Sequence, residues 1–236
     1  MTQQSPLMNS SQKTLTNHIV LELLAPNLTT AQLDERCRWA RSAKIASVCA
    51  RPCDLRRVSE HLDGARVAVG TVIGFPHGAS IRGVKVAEIR GAIDDIASVL
   101  GNEGPPAEFG AVINIGRVLS NDWLTVHDEI GAMCDVIRQR GGLLKIIFET
   151  GYLDEEQIIR LCQGCAEMGV DFVSTSTGFG PRGATLDDVR LLRAELPDII
   201  RIEAAGNIES AADAEAFITA GATRIRTARA KDILSP

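Results

Sequence analysis

The chain has 236 residues, 45% of them hydrophobic, enough to bury a substantial core, and α/β barrels commonly run at this length as one domain. A net charge of -5 argues against nucleic acid or an anionic membrane as partner, because their phosphates need a basic counter-surface; a small anionic molecule is the expected ligand. The six cysteines form no regular disulfide framework, no leader pattern opens the chain and no apolar run approaches a membrane span, which points to a reducing cytoplasm.

Residues 1–17 are polar, rich in Ser, Thr and Gln, and are expected to be disordered, with one domain over 18–236. From His18 onward, short β-type runs alternate with longer amphipathic segments. A strand at Ile19 to Leu24 precedes a helix at Thr30 to Ala43, a strand at Ile45 to Cys49 and a helix at Asp54 to Leu62. The alternation continues with strands at Arg66 to Ile73, Phe109 to Ile113, Leu144 to Phe148, Asp171 to Thr175, Ile199 to Ala204 and Thr223 to Thr227. Helical patterns lie between them at Ile81 to Leu100, Asp122 to Gln139, Asp154 to Met168, Leu186 to Leu196 and Ser210 to Ala220. Repeated β-then-α units imply a parallel sheet. Eight such strands, with no Gly-x-Gly-x-x-Gly turn after an early one, predict a single-domain (β/α)8 TIM barrel.

In such a barrel the C-terminal strand ends carry the chemistry. Period-2 geometry groups Lys145, Ile147 and Glu149 on one face of the fifth strand, and Phe172, Ser174 and Ser176 on one face of the sixth. A Lys and a Glu inside an apolar strand are costly unless paired, so this pair reads equally as a buried ion pair or as catalytic machinery. The pattern Cys162-Gln-Gly-Cys165 lies inside a helical segment with no second pair of ligands, and reads as helix packing. Cys49 reads as a packed thiol and His77 as a loop residue able to reach the mouth. No His, Asp and Glu cluster has metal-ligand spacing, so neither a metal nor a cofactor is expected.

Five segments carry a resemblance: Thr71-Val-Ile-Gly-Phe-Pro76, Val112-Ile-Asn-Ile-Gly116, Leu144 to Leu153, Thr175-Ser-Thr-Gly-Phe-Gly180 and Ala220-Gly-Ala-Thr-Arg-Ile225. In their order and spacing the chain resembles the deoxyribose-phosphate aldolase family. That resemblance implies a metal-free Schiff-base aldolase joining acetaldehyde to glyceraldehyde 3-phosphate, in a barrel that commonly pairs as a homodimer. It also places the imine-forming Lys just before Thr-Ser-Thr-Gly, where this chain has Ser174. A second family Lys falls at Glu203, a relay Asp at Gly110, and the Asp-His-Thr pattern of the first strand reads Val20-Leu21-Glu22.

Gly178 and Gly206 match the family's phosphate cradle, beside Thr177, while Asn207, Arg226, Arg229 and Arg51 replace smaller or neutral residues. Three Arg near one mouth predict bidentate recognition of a carboxylate or phosphate, unless Arg226 and Arg229 merely pair with Glu203 and Glu209. Because a hydroxyl forms no imine, the expectation is an acid-base enzyme of lyase, cyclase or isomerase type rather than an ordinary family aldolase. Glu203 or Glu149 would be its base, Lys145 would stabilise an oxyanion, and Ser174 would hydrogen-bond the reacting group. The alternatives are a Schiff-base aldolase using Lys145, and a catalytically silent binding protein.

Overall fold

The computed structural model describes residues 15–101 and 104–235. Eight parallel strands close into a barrel in sequential order: β1 (Ile19–Leu23), β2 (Ser47–Ala50), β3 (Ala68–Ile73), β4 (Glu108–Val112), β5 (Leu143–Ile147), β6 (Phe172–Ser174), β7 (Arg201–Ala205) and β8 (Arg224–Thr227), with β8 pairing back onto β1. The connecting helices are α1 (Thr30–Ala43), α2 (Leu55–Leu62), α3 (Arg82–Leu100), α4 (Ile115–Leu119), α5 (Trp123–Arg140), α6 (Glu155–Met168), α7 (Leu186–Glu195) and α8 (Ala211–Thr219), and α9 (Ala230–Leu234) follows the last strand. This is the (β/α)8 barrel that the alternating pattern predicts. No helix among the described residues is long and apolar enough to cross a membrane.

Helix starts follow from capping chemistry. Thr29, Asp154, Thr185 and Ser210 each close a capping box with the residue three positions on, satisfying backbone donors that would otherwise be orphaned. Several strand starts shift from the apolar pattern: Arg66 lies outside β3 and Ile199, expected at the head of β7, is 85% exposed, whereas β4 and β5 each begin one residue earlier than expected. Of the expected disordered segment, residues 1–14 lie outside the described residues. Leu15 and Thr16 are buried, and Leu15 joins the main core, so order begins before His18.

The period-2 geometry of the strands divides the interior in two. Outward residues such as Ile19, Leu21, Val48, Phe109, Ile146 and Ile202 pack beneath the helices in one continuous cluster. Inward apolar residues include a small group, Val20, Leu24, Cys49 and Val72, with Phe75 packed against it, and also Ile147 and Phe172. Beside them the lumen carries the charged and hydroxyl side chains of Glu108, Lys145, Ser174, Glu203 and Arg226.

One buried ion pair lies outside the lumen. Lys85 of α3 sits 2.8 Å from Glu129 of α5 and donates to the Val112 carbonyl at 2.7 Å, clamping two helices to the end of β4. Breaking such a pair from one side strands a buried charge. Lys85→Met is therefore expected to cost about 3–5 kcal/mol in urea denaturation, while the Lys85→Met/Glu129→Leu double variant recovers most of the loss. Additive losses in the double variant would show that the pair is not what holds this corner.

Candidate active site

Lys145 from β5, Ser174 from β6, Glu203 from β7 and Arg226 from β8 converge in the lumen, each nearly or fully inaccessible to solvent. Adjacent strands set the register, Ser174 lying opposite Glu203 and Ala205 opposite Arg226. The Lys145 ammonium contacts Glu203 Oε2 directly and lies 3.4 Å from Glu108 Oε2. The other Glu203 oxygen accepts from Ser174 Oγ at 3.0 Å and from Arg226 Nε at 3.1 Å. Arg226 completes its shell by donating to Glu22 at 2.5 Å and to the Ser176 carbonyl at 2.6 Å.

These contacts fix the charge states. Burial pushes the Glu203 carboxyl up, but Lys145 and Arg226 outweigh it and hold it below the usual range. Burial pulls the Lys145 amine down, and Glu203 with Glu108 outweighs it in turn, leaving the amine above the ordinary lysine value. Burial likewise opposes the charge of Arg226 and is more than offset by Glu22 and Glu203. Lys145, Glu203 and Arg226 are thus charged at rest. Cys49 is the exception: burial pushes its thiol up to about 12, as a packed, inert cysteine requires. Cys162 and Cys165 are buried on α6, and burial raises both thiols.

Two expected site residues lie elsewhere. Glu149 does not share a face with Lys145, because β5 ends at Ile147 and Glu149 turns into the left-handed region at φ 56°. Its carboxylate accepts from the backbone N–H of Thr177 at 3.0 Å and from the Thr177 hydroxyl, bracing the loop after β6. Arg51 does not face a ligand. It is consumed by Asp54 at 2.6 Å and by the carbonyls of Ala25, Pro26 and Leu28, so it fastens the loop between β1 and α1. Glu108 is the lumen residue that the strand pattern leaves out, since the expected strand began one residue later.

Above Arg226 a cavity of about 170 Å³ opens at the C-terminal mouth, lined by Glu22, Gly178, Gly206, Asn207 and Arg229 among others. Gly206 has φ 89°, and a side chain there would meet the Gly183 Cα at 2.8 Å, so only glycine lets these two turns approach. Asn207 also takes the left-handed region, at φ 59°, which asparagine tolerates. Arg229 is half exposed and pairs with Glu209 and Asp232. Below Arg226, a lumen cavity of only about 10 Å³ lies beside Lys145 and Glu203. Arg226 lines both spaces and forms the partition between them.

A deoxyribose-phosphate aldolase from Rhodopirellula baltica is 40% identical over 212 residues, covering 90% of this chain and 84% of the relative. The chain belongs to the deoxyribose-phosphate aldolase family. The enzyme of that name from Treponema denticola is 36% identical, with 89% and 94% coverage. Among solved structures, the aldolase QR15 superposes with a TM-score of 0.83 at 32% identity, over 96% of this chain and 95% of that one. The tetrameric deoxyribose-phosphate aldolase of Aeropyrum pernix gives 0.84 at 25% identity, over 96% and 92%. The chain matches no protein-family model.

The family relationship at this identity and coverage overturns the expectation of an acid-base enzyme that has left aldolase chemistry. The lumen gives the physical reason: a carboxylate held ionised by two cations is a weak base, and Glu149 is engaged in the next loop. Arg51→Ala is expected to lower stability by about 1–3 kcal/mol through its lost charged hydrogen bonds, with KM unchanged. A raised KM with an unchanged denaturation midpoint would return Arg51 to the substrate.

Proposed function

We propose that the protein is an aldolase of the deoxyribose-phosphate type in which Ser174 stands at the family's lysine position and Lys145 supplies the amine. One observation carries this reading: among the described lysines, Lys145 alone has its amine in the barrel lumen. Lys44 and Lys231 are exposed, and Lys85 is spent on Glu129 and the Val112 carbonyl.

The chemistry runs on groups already in contact. In the small fraction of Lys145 that has released its ammonium proton to solvent, the neutral amine adds to the aldehyde carbon, forming a C–N bond as the carbonyl π pair moves to oxygen. Glu203 passes one proton from the added nitrogen to the carbinolamine oxygen, solvent returns the second, and the oxygen leaves as water. In the cleavage direction the resulting iminium accepts the electron pair of the breaking C–C bond, while the hydroxyl on the departing carbon loses its proton to water and becomes the new carbonyl. Ser174, hydrogen-bonded to Glu203, stands where it can orient that carboxyl. Gly178 and Gly206, with Arg229 beside them, suit the phosphate of a small phosphorylated aldehyde or sugar such as deoxyribose 5-phosphate. Entry to Lys145 requires the Arg226 guanidinium to swing aside. Association as a homodimer belongs to the same reading on family grounds, and elution volume at two protein concentrations tests it.

Reductive trapping tests the amine. Deoxyribose 5-phosphate or acetaldehyde with cyanoborohydride is expected to leave one adduct, mapped by peptide mass spectrometry to Lys145 and absent from Lys145→Met. Because the amine's pKa is raised, only its neutral minority reacts, and the trapping rate should climb about ten-fold per pH unit through neutrality. A plateau near neutral pH would mean that the ion pair does not govern the amine.

A second reading, a family member that binds ligand without turnover, is favoured by the lumen cavity, whose 10 Å³ holds about one water. No adduct on any lysine, together with a ligand-induced rise in melting temperature, would select it.

A further inference from the structure

The N-terminal face of the barrel, opposite the candidate active site, holds a larger cavity of about 500 Å³. Strand starts and their preceding loops bring four cations to its wall: Lys44 before β2, Arg66 before β3, Arg201 at the head of β7 and Arg224 at the head of β8. Glu108 is the lining carboxylate, and it is already shared between Lys145 at 3.4 Å and Arg224 at 3.7 Å. Among the described residues, the side chains of Lys44, Arg66 and Arg201 have no ion-pair partner.

Two details mark this as an unfinished arrangement. Arg201 and Arg224 stack against the same Phe172 ring, with guanidinium carbons 3.8 and 5.7 Å from its centroid, so two like charges are held side by side. Burial, and then the charge of Arg224, pull the Arg201 pKa below its ordinary value. In addition, Arg224 Nε is buried with no hydrogen-bond partner, a donor that normally finds an acceptor.

We propose that this N-terminal mouth binds a small phosphate-bearing molecule, held between the Arg201 and Arg224 guanidinium groups with Lys44 and Arg66 at the rim. The surplus positive charge matches a dianion better than a single carboxylate. Guanidinium forks engage phosphate oxygens in pairs, and the volume falls within the range of small-ligand sites. Such an anion competes with Glu108 for Arg224 and so reaches, through Glu108, the surroundings of Lys145.

Isothermal titration of the full chain with inorganic phosphate and with pyrophosphate, at constant ionic strength, tests the site. The C-terminal mouth is a second place for phosphate, so three proteins are compared: wild type, Lys44→Gln/Arg66→Gln and Arg229→Gln. Both substituted rim residues are exposed, so the double variant keeps the core intact. The expected result is a binding event that weakens about ten-fold or more in Lys44→Gln/Arg66→Gln and persists in Arg229→Gln. Arg201→Gln should abolish the same event. Phosphate binding that is unchanged in both N-terminal variants, or all of which disappears with Arg229→Gln, overturns the proposal.

Discussion

A single file of alternating charges runs along the inside of this barrel, and much else in the lumen follows from it. From the N-terminal face upward it reads Arg224, Glu108, Lys145, Glu203, Arg226 and Glu22, each within 3.7 Å of the next. Taking one of these groups out of water unpaired would cost several kcal/mol, and only a close counter-charge with further hydrogen bonds makes the burial tolerable. Here each interior carboxylate touches two cations, and the serine hydroxyl and a backbone carbonyl fill the remaining sites. Cations and carboxylates balance along the file, so the interior is close to neutral despite its density of charge.

The two ends of the file differ. At the C-terminal mouth, glycine turns and Asn207 bring backbone close to open space, and Arg226 lies across the entrance. At the N-terminal face the balance fails by the extra guanidinium of Arg201, which stacks on the Phe172 ring and has no carboxylate in ion-pair contact among the described residues. Between them the lumen is nearly filled, so access to Lys145 depends on moving a side chain rather than on a standing pocket.

The barrel itself was legible in the sequence because alternating strand and helix patterns and capping residues act locally. The site was less so. Lys145, Ser174 and Glu203 were found by strand periodicity and motif position, and the pairing of Arg226 with Glu203 was foreseen as an alternative to ligand binding. Glu149 was misplaced because period 2 holds only while the strand lasts, and β5 stops two residues earlier. Arg51 was misjudged because its partners are carbonyls of the β1–α1 loop, which no side-chain pattern announces. Glu108 was missed because Pro105 and Pro106 made its surroundings read as loop, although it opens β4 and faces inward. Motif differences at positions 110, 174, 203 and 207 weighed too heavily against a likeness that extends over most of the chain.

The alternation also constrains how the sequence can change. A lone substitution of one member leaves a neighbour charged and buried without its counterpart, whereas a matched exchange of two neighbours keeps the file neutral at each step. Viable neighbours of this sequence are therefore reached mostly through paired replacements. A lysine at 174 beside an unaltered 203 adds a cation to a balanced file, and a lysine at 203 beside an unaltered 145 sets two ammonium groups against each other. The present arrangement is a basin in sequence space, with walls made of desolvation energy.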